Sequence, residues 1–260
     1  YPPFFSAGSG REVLRCPLVV KDGVYCMDYL RLEECFRQGA KLLLLCNPHN
    51  PVGRAWTQGE LSELGALCRK YDVSVVSDDI HCDLILPGNS YTCVLSVDSL
   101  KDRSMVLISG TKTFNIAGLH AATAVVPNAE WRAGLSARLG RYGHKEPNLL
   151  AIAAQTAAYQ YCSGWVDELT AVLRGNMQIL LSYIGQTPIR SYMPDSTYLL
   201  WLDCRDMGMN DGRLMNFFIN RCGVYPNSGE PFGAEGFARI NAAAPEAVIQ
   251  RIGSNIQKAF

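Results

Sequence analysis

Three polar clusters in the first half of the chain hold residues able to do chemistry on a small ligand. The first is Asn47-Pro48-His49-Asn50-Pro51-Val52-Gly53, the second Asp78-Asp79-Ile80-His81, and the third Ser109-Gly110-Thr111-Lys112-Thr113. Together they supply a carboxylate, an amine, amides and hydroxyls. That set suits an anionic, aromatic cofactor better than a metal. No H-x-x-x-H pair or carboxylate-rich spacing appears, so a metal centre is not expected.

The elements that must position these clusters are legible as apolar runs. Lys41 to Cys46 reads as a buried strand and runs into the first cluster. Val73 to Ser77 leads into the second, and Met105 to Ser109 into the third. Ala122 to Pro127 reads as a fourth strand. Thr57 to Tyr71 reads as a helix, with Thr57 and Glu60 spaced as a capping box and Leu61, Leu64, Leu67 and Cys68 on one face. Continuous apolar strands predict a sheet covered on both faces, and strand–helix alternation predicts mostly parallel order. In such a sheet ligands sit outside the carboxyl ends of the strands, so all three clusters face one crevice.

The second half reads differently. Val166, Leu169, Leu173, Leu180 and Ile184 recur along one long helix. A strand (198–203), a helix (211–222, closed by Gly223), a strand (236–242) and a helix after Pro245 follow. This predicts a smaller α+β domain with a boundary near Trp165. The expected division is therefore 1–165, the C-terminal portion of a large α/β domain, and 166–260, a small C-terminal domain.

Composition removes several function classes. Lys+Arg and Asp+Glu both number 24, which argues against nucleic-acid binding and against a polybasic membrane surface. Hydrophobic residues at 48% and charged residues at 18% describe an ordinary globular chain rather than a disordered one. The ten cysteines form no C-x-x-C pair, and they read as buried free thiols of a reducing, cytoplasmic compartment. The uncharged run from Pro147 to Val166 contains Asn148, Gln155, Gln160, Ser163 and Gly164. It reads as a buried helix rather than a bilayer span. The chain starts at Tyr1 rather than Met, and the motifs below favour a fragment.

CNPHNPVGR (46–54), SDDIHCDL (77–84), SGTKTFNIAGLH (109–120), TYLLWLD (197–203) and GFARINAAAP (236–245) occur in family-like order and spacing, with YPPFFSA (1–7) ahead of them. On these segments the chain resembles pyridoxal 5'-phosphate (PLP) enzymes of the class I/II aminotransferase fold. More narrowly, it resembles the cystathionine β-lyase-like C–S lyase branch. The resemblance implies a PLP-dependent transferase-like α/β fold, a homodimer, and PLP as cofactor.

The resemblance also assigns roles. Lys112 is the amine that forms an imine with the cofactor aldehyde and later acts as base. Asp78 is the partner of the pyridine nitrogen, keeping the ring protonated as an electron sink. Asp79, its neighbour, reads as an N-cap or backbone-bonding residue. Asn50 and His81 stand near the cofactor's phenolic oxygen, His81 where most aminotransferases of this fold carry Tyr. Ser109 is a phosphate ligand, joined by Thr111, and Tyr1 stacks on the ring. Arg239 is the planar cation for the substrate carboxylate. The loop Ser228 to Glu235 reads as a mobile segment near the active-site mouth.

Two departures from the family pattern carry expectations of their own. His120 stands eight residues beyond Lys112, where many aspartate-type aminotransferases place a phosphate-binding Arg. That favours the lyase branch. The family chain also begins roughly a hundred residues earlier, including the Gly-containing turn that cradles the phosphate at a helix N-terminus. The expectation is poor cofactor binding by this stretch alone and a partly unpaired sheet.

The reading is α,β-elimination on cystathionine- or cysteine-type L-amino acids, giving pyruvate, ammonia and a thiol. An aminotransferase on the same scaffold is the alternative. A non-catalytic, aminotransferase-like sensor domain of a transcription regulator is the third, disfavoured by the intact NPHNPVG turn.

Overall fold

A computed structural model describes residues 10–144 and 146–260. Tyr1 and the 1–7 segment lie outside the described residues, so the stacking role expected of Tyr1 has no structural counterpart here.

A hairpin of β1 (Val19–Lys21) and β2 (Val24–Cys26) opens the described chain, followed by α1 (Tyr29–Arg37). The main sheet has the order β3-β4-β5-β6, with β3 Leu42–Cys46, β4 Ser74–Asp78, β5 Ser104–Ile108 and β6 Thr123–Val125. The first three strands are parallel and β6 runs antiparallel to β5, so the expected parallel order holds for three of the four. The crossover from β3 to β4 contains α2 (Gln58–Tyr71). Thr57 caps it with the reciprocal Thr57–Glu60 box that the sequence predicts, satisfying two otherwise orphaned N–H groups. Leu61, Leu64 and Cys68 are fully buried from α2, packed with Val73, Val75, Trp56 and Val106 in one core.

The expectation of a sheet covered on both faces is corrected. Leu42 and Leu44 on β3 and Val125 on β6 are exposed, and these strands form the two edges. No described element packs over them, so their apolar side chains face outward. The uncharged run is corrected likewise. It forms α5 (Leu149–Tyr161) and the start of α6 (Ser163–Ile184), and α5 buries only Ala151 while exposing Leu149, Leu150 and Ile152. Its apolar residues cover nearly the whole helix circumference, and one face alone finds a partner. Between β6 and α5 lie α4 (Ala129–Arg141), capped by Asn128, and a turn. The short α3 (Gly110–Thr113) directly follows β5.

The second core lies between α6 and a three-stranded antiparallel sheet, β7-β9-β8 (Leu199–Asp203, Phe237–Asn241, Asn227–Ser228). On α6, Leu173, Met177, Leu180 and Ile184 are buried at helical spacing. The last helix, α8 (Glu246–Lys258), packs on α6. The helix expected over 211–222 is regular only in α7 (Asp211–Asn216). It widens into an i→i+5 turn over Phe217–Arg221, which puts Phe217 and Phe218 into the core together. Leu84 and Leu86, from the loop after β4, belong to this second core, so the two halves share packing.

All ten cysteines are free, but burial is confirmed only for Cys35, Cys68, Cys204 and Cys222; the other six, Cys26 and Cys46 at strand ends among them, are part-exposed. Among the described residues no helix is long and apolar enough to cross a membrane.

Candidate active site

The carboxyl ends of β3, β4 and β5 converge, as the sequence predicts, because parallel register aligns them: Cys46 pairs with Asp78, and Asp78 with Leu107. The loop after β3 is stitched into place by the fully buried Asn47. Its Nδ2 donates to the Thr92 carbonyl at 2.9 Å, its Oδ1 accepts from Trp56 N at 3.2 Å, and its own N–H reaches the Asp78 carbonyl at 3.1 Å. Gly53 turns the loop with φ +76°, and a Cβ there would sit 2.3 Å from Pro194 Cβ, so the turn needs glycine twice over. Arg54 then bonds Asp195 at 2.8 Å and Glu60 at 3.0 Å, tying the loop to the segment that leads into β7.

Asn50, on that loop, donates its N–H to Cys46 Sγ at 3.4 Å. Its Oδ1 accepts from Arg239 Nη1 at 2.7 Å. Arg239 is held from its other side by Asn227 Oδ1 at 2.9 Å, and its guanidinium lies 4.8 Å from the centre of the Phe232 ring. Its Nε is buried with no hydrogen-bond partner among the described residues. Burial pulls its pKa below the ordinary value, which marks a cation short of counter-charge.

Asp78 ends β4, with Oδ1 accepting from Ile80 N at 3.3 Å. Burial raises its carboxyl above the usual range. Asp79 does not cap a helix, and the expectation that it caps or bonds backbone through its side chain is corrected. Its carboxylate is fully buried and accepts from the hydroxyls of Ser77 and Tyr91. Alternation along the strand end turns Asp79 inward. Burial pushes it up to about 6.

His81 is buried, with Nδ1 unpartnered, and its ring meets Tyr198 edge-on at 5.8 Å. Burial, and then the charges of Lys112 and Arg239, pull it down to about 4, so the imidazole is neutral near pH 7. The charges of Lys112 and Arg239 both act on this imidazole.

Lys112 is half-buried within α3, whose N-cap is Ser109. Ser109 Oγ accepts from Thr111 N at 3.1 Å, lies 2.7 Å from Thr111 Oγ1, and donates to the Ala121 carbonyl at 2.5 Å. Both hydroxyls expected to hold a phosphate are thus engaged with each other and with backbone. His120, eight residues after Lys112, is exposed with a left-handed φ of 50°.

Asn50, Asp78, His81, Ser109, Thr111 and Lys112 therefore lie at or just beyond the carboxyl ends of β3, β4 and β5, and Arg239 reaches Asn50 there from the second sheet. Sequence reasoning missed Asn227, Phe232 and Tyr198, which hold Arg239 and His81. Tyr198 stands in the TYLLWLD segment but drew no role there, and Phe232 lies within the loop read only as mobile.

The chain matches the family described as aminotransferase class I and II over residues 8–256. It is 38% identical over 258 residues to cystathionine beta-lyase PatB of Bacillus subtilis (strain 168), covering 96% of this chain and 67% of that protein. The fold superposes on cystalysin from Treponema denticola, a structure containing PLP, with TM-score 0.94 and 34% identity over all of this chain and 68% of that one. It also superposes on the PLP-bound C-S lyase from Staphylococcus hominis, with TM-score 0.89 and 29% identity, covering 100% and 68%. The chain thus spans about two thirds of the length of these relatives.

Proposed function

The chain belongs to the aminotransferase class I and II family, and on that premise we propose that it carries the lysine and carboxylate-binding side of a PLP-dependent C–S lyase. The reaction is α,β-elimination on L-amino acids bearing a sulfur leaving group on Cβ, of the cystathionine or cysteine type. The observation that supports this is the Arg239–Asn50 hydrogen bond at the carboxyl ends of parallel strands, beyond which His81 and Lys112 follow in the adjacent loops.

The residues fit PLP at its ring end. His81 Nδ1 and Arg239 Nε are buried polar atoms without partners, and Asp78, Asn50 and Lys112 supply a carboxylate, an amide and an amine beside them. At the phosphate end, Thr111 must turn from Ser109 to present its hydroxyl. PLP, when bound, supplies an aldehyde carbon for imine exchange and a protonated ring that withdraws electrons from the substrate Cα.

The chain's own residues do the rest. Lys112 holds the cofactor and then accepts the Cα proton. Asp78 keeps a proton on the ring nitrogen. Asn50, whose Oδ1 is taken by Arg239, would have Nδ2 left to donate to the phenolic oxygen. Arg239 clamps the substrate carboxylate and so orients the Cα–H bond. The electron pair of the Cα–H bond would form the Cα=Cβ bond as the Cβ–S pair leaves on sulfur, which would take up the proton accepted by Lys112 and depart as thiol. The released enamine would tautomerise to an imine, and water would hydrolyse it to pyruvate and ammonia.

We also infer a homodimer, supported by the apolar face of α5 with Leu149, Leu150 and Tyr161 outward, and a cytoplasmic setting, supported by ten free thiols. The division at 1–165 and 166–260 is part of the same reading, supported by the two cores.

The test is pyruvate release from cystathionine by the PLP-loaded protein with no keto-acid added. Release without an acceptor supports elimination. Strict dependence on a keto-acid would instead make the protein an aminotransferase.

A further inference from the structure

The loop after β4 carries two acidic groups that the chemistry above does not use, Asp79 and Asp83, and Asp83 is the one that reaches the Lys112 turn. Asp83 Oδ2 accepts two hydrogen bonds, from Thr113 Oγ1 at 2.8 Å and from Tyr159 OH at 2.9 Å. Thr113 is fully buried and directly follows Lys112 in α3. Tyr159 belongs to α5. Its ring meets Phe114, the residue closing α3, edge-on at 5.1 Å, and Phe114 stacks on Trp165 at 6.1 Å. The first residue of α3 is tied to the same helix, because Gly110 N donates to Gln155 Oε1 at 2.9 Å. A side chain on Gly110 would meet Phe114 and Tyr159 at 3.1 Å, so α3 and α5 are in close contact.

A four-residue helix cannot hold a shape by its own hydrogen bonds. Its orientation, and with it that of Lys112, is set by these outside ties. Asp83 lies two residues after His81 and five after Asp78, on the turn that bears both.

We propose that Asp83 is a positioning residue. Through one carboxylate oxygen it joins the Asp78–His81 turn, the Lys112 turn and α5, and so fixes the amine relative to the ring-nitrogen carboxylate. This rests on the lyase reading above. The role is geometric: a single acceptor oxygen serves both hydroxyls, so the charge is dispensable. Asp83→Asn, which retains that oxygen, preserves the arrangement, whereas Asp83→Ala and Thr113→Val break it.

The experiment compares the PLP-loaded wild-type protein with Asp83→Asn, Asp83→Ala, Thr113→Val and the Asp83→Ala/Thr113→Val pair. Three readouts are taken: the pH titration of the visible band formed at Lys112, kcat and KM for pyruvate release, and the melting temperature. The expected result for Asp83→Ala and Thr113→Val is a moved titration midpoint and a kcat lower by on the order of 10- to 100-fold, with KM changed much less. The pair loses no more than the worse single variant, and Asp83→Asn stays close to wild type. The proposal is overturned if Asp83→Asn fails as badly as Asp83→Ala, if the two losses multiply, or if melting falls while titration and kcat hold. A wild-type protein with no band, even when joined to a family-type N-terminal segment, overturns the reading beneath it, and this proposal with it.

Discussion

Arg239 and Asn50, 189 positions apart in sequence, are joined by a hydrogen bond of 2.7 Å from Nη1 to Oδ1. This bond links a strand of the second sheet to the loop after β3. It also sets each group's remaining chemistry. Arg239 keeps an unpartnered Nε, and Asn50 keeps its amide donor.

Replacing Arg239 by Lys removes the planar fork but keeps the charge. The expected loss is about 1.5–3 kcal/mol, the size of a hydrogen bond to a charged group. That corresponds to a KM rise of roughly 10- to 100-fold in steady-state pyruvate assays. An unchanged KM would remove Arg239 from carboxylate binding.

Replacing Asp78 by Asn leaves the side chain its size and removes the charge opposite the ring nitrogen. The expected drop in kcat is on the order of 10²–10³, comparable to losing one preorganised electrostatic partner. The visible band at Lys112 should survive, because the amine is untouched. Loss of the band with intact folding would mean that Asp78 holds the cofactor rather than tunes it.

His81 and Asp79 give the folded protein opposing pH responses. His81 is depressed from 6.5 to about 4, so its contribution to stability is present above pH 6.5 and lost as pH falls towards 4. Asp79 is raised from 3.8 to about 6, so its contribution is present below pH 3.8 and lost as pH rises through 6. Each amounts to about 3 kcal/mol at most. His49, half-buried and also depressed to about 4 by desolvation, adds to the histidine side. Urea midpoints measured from pH 4 to 7 should therefore fall more steeply with acid in Asp79→Asn than in wild type, and less steeply in His81→Gln. Identical slopes in all three proteins would contradict the assignment.

Gly53→Ala places a side chain at φ +76° and against Pro194. The expected cost is about 1–3 kcal/mol, seen as a lower melting temperature. Cofactor binding should weaken as well, because Asn50 rides on the same turn. A variant that melts like wild type would show that the loop relaxes freely.

Much of the crevice was readable before the fold was known, because it lies at the ends of strands marked by their own apolar runs. Lys41 to Cys46 and Val73 to Ser77 predicted strands within a residue of those observed, and Thr57–Glu60 predicted the helix start. These signals are local: burial on a strand and a cap within one turn. What escaped depends on partners distant in sequence. Nothing near Asp83 announces Tyr159, 76 residues later, and nothing near Asp79 announces Tyr91 across the loop. The uncharged 147–166 run misled for a related reason. Apolar composition reports what a helix can bury, and α5 lacks a described partner for most of its surface. The positions of Ser109 and Thr111 followed from the motif, but their mutual hydrogen bond did not, since it depends on Ser109 also capping its own helix and reaching the Ala121 carbonyl twelve residues on.

The central claim is that Lys112 holds the cofactor. The most direct test is to mix the protein with PLP, record the visible spectrum before and after borohydride, and map the reduced adduct by peptide mass. The account predicts a visible band that borohydride abolishes and an adduct on the peptide containing Lys112. An adduct confined to other lysines, or a colourless protein even when joined to a family-type N-terminal segment, would contradict it.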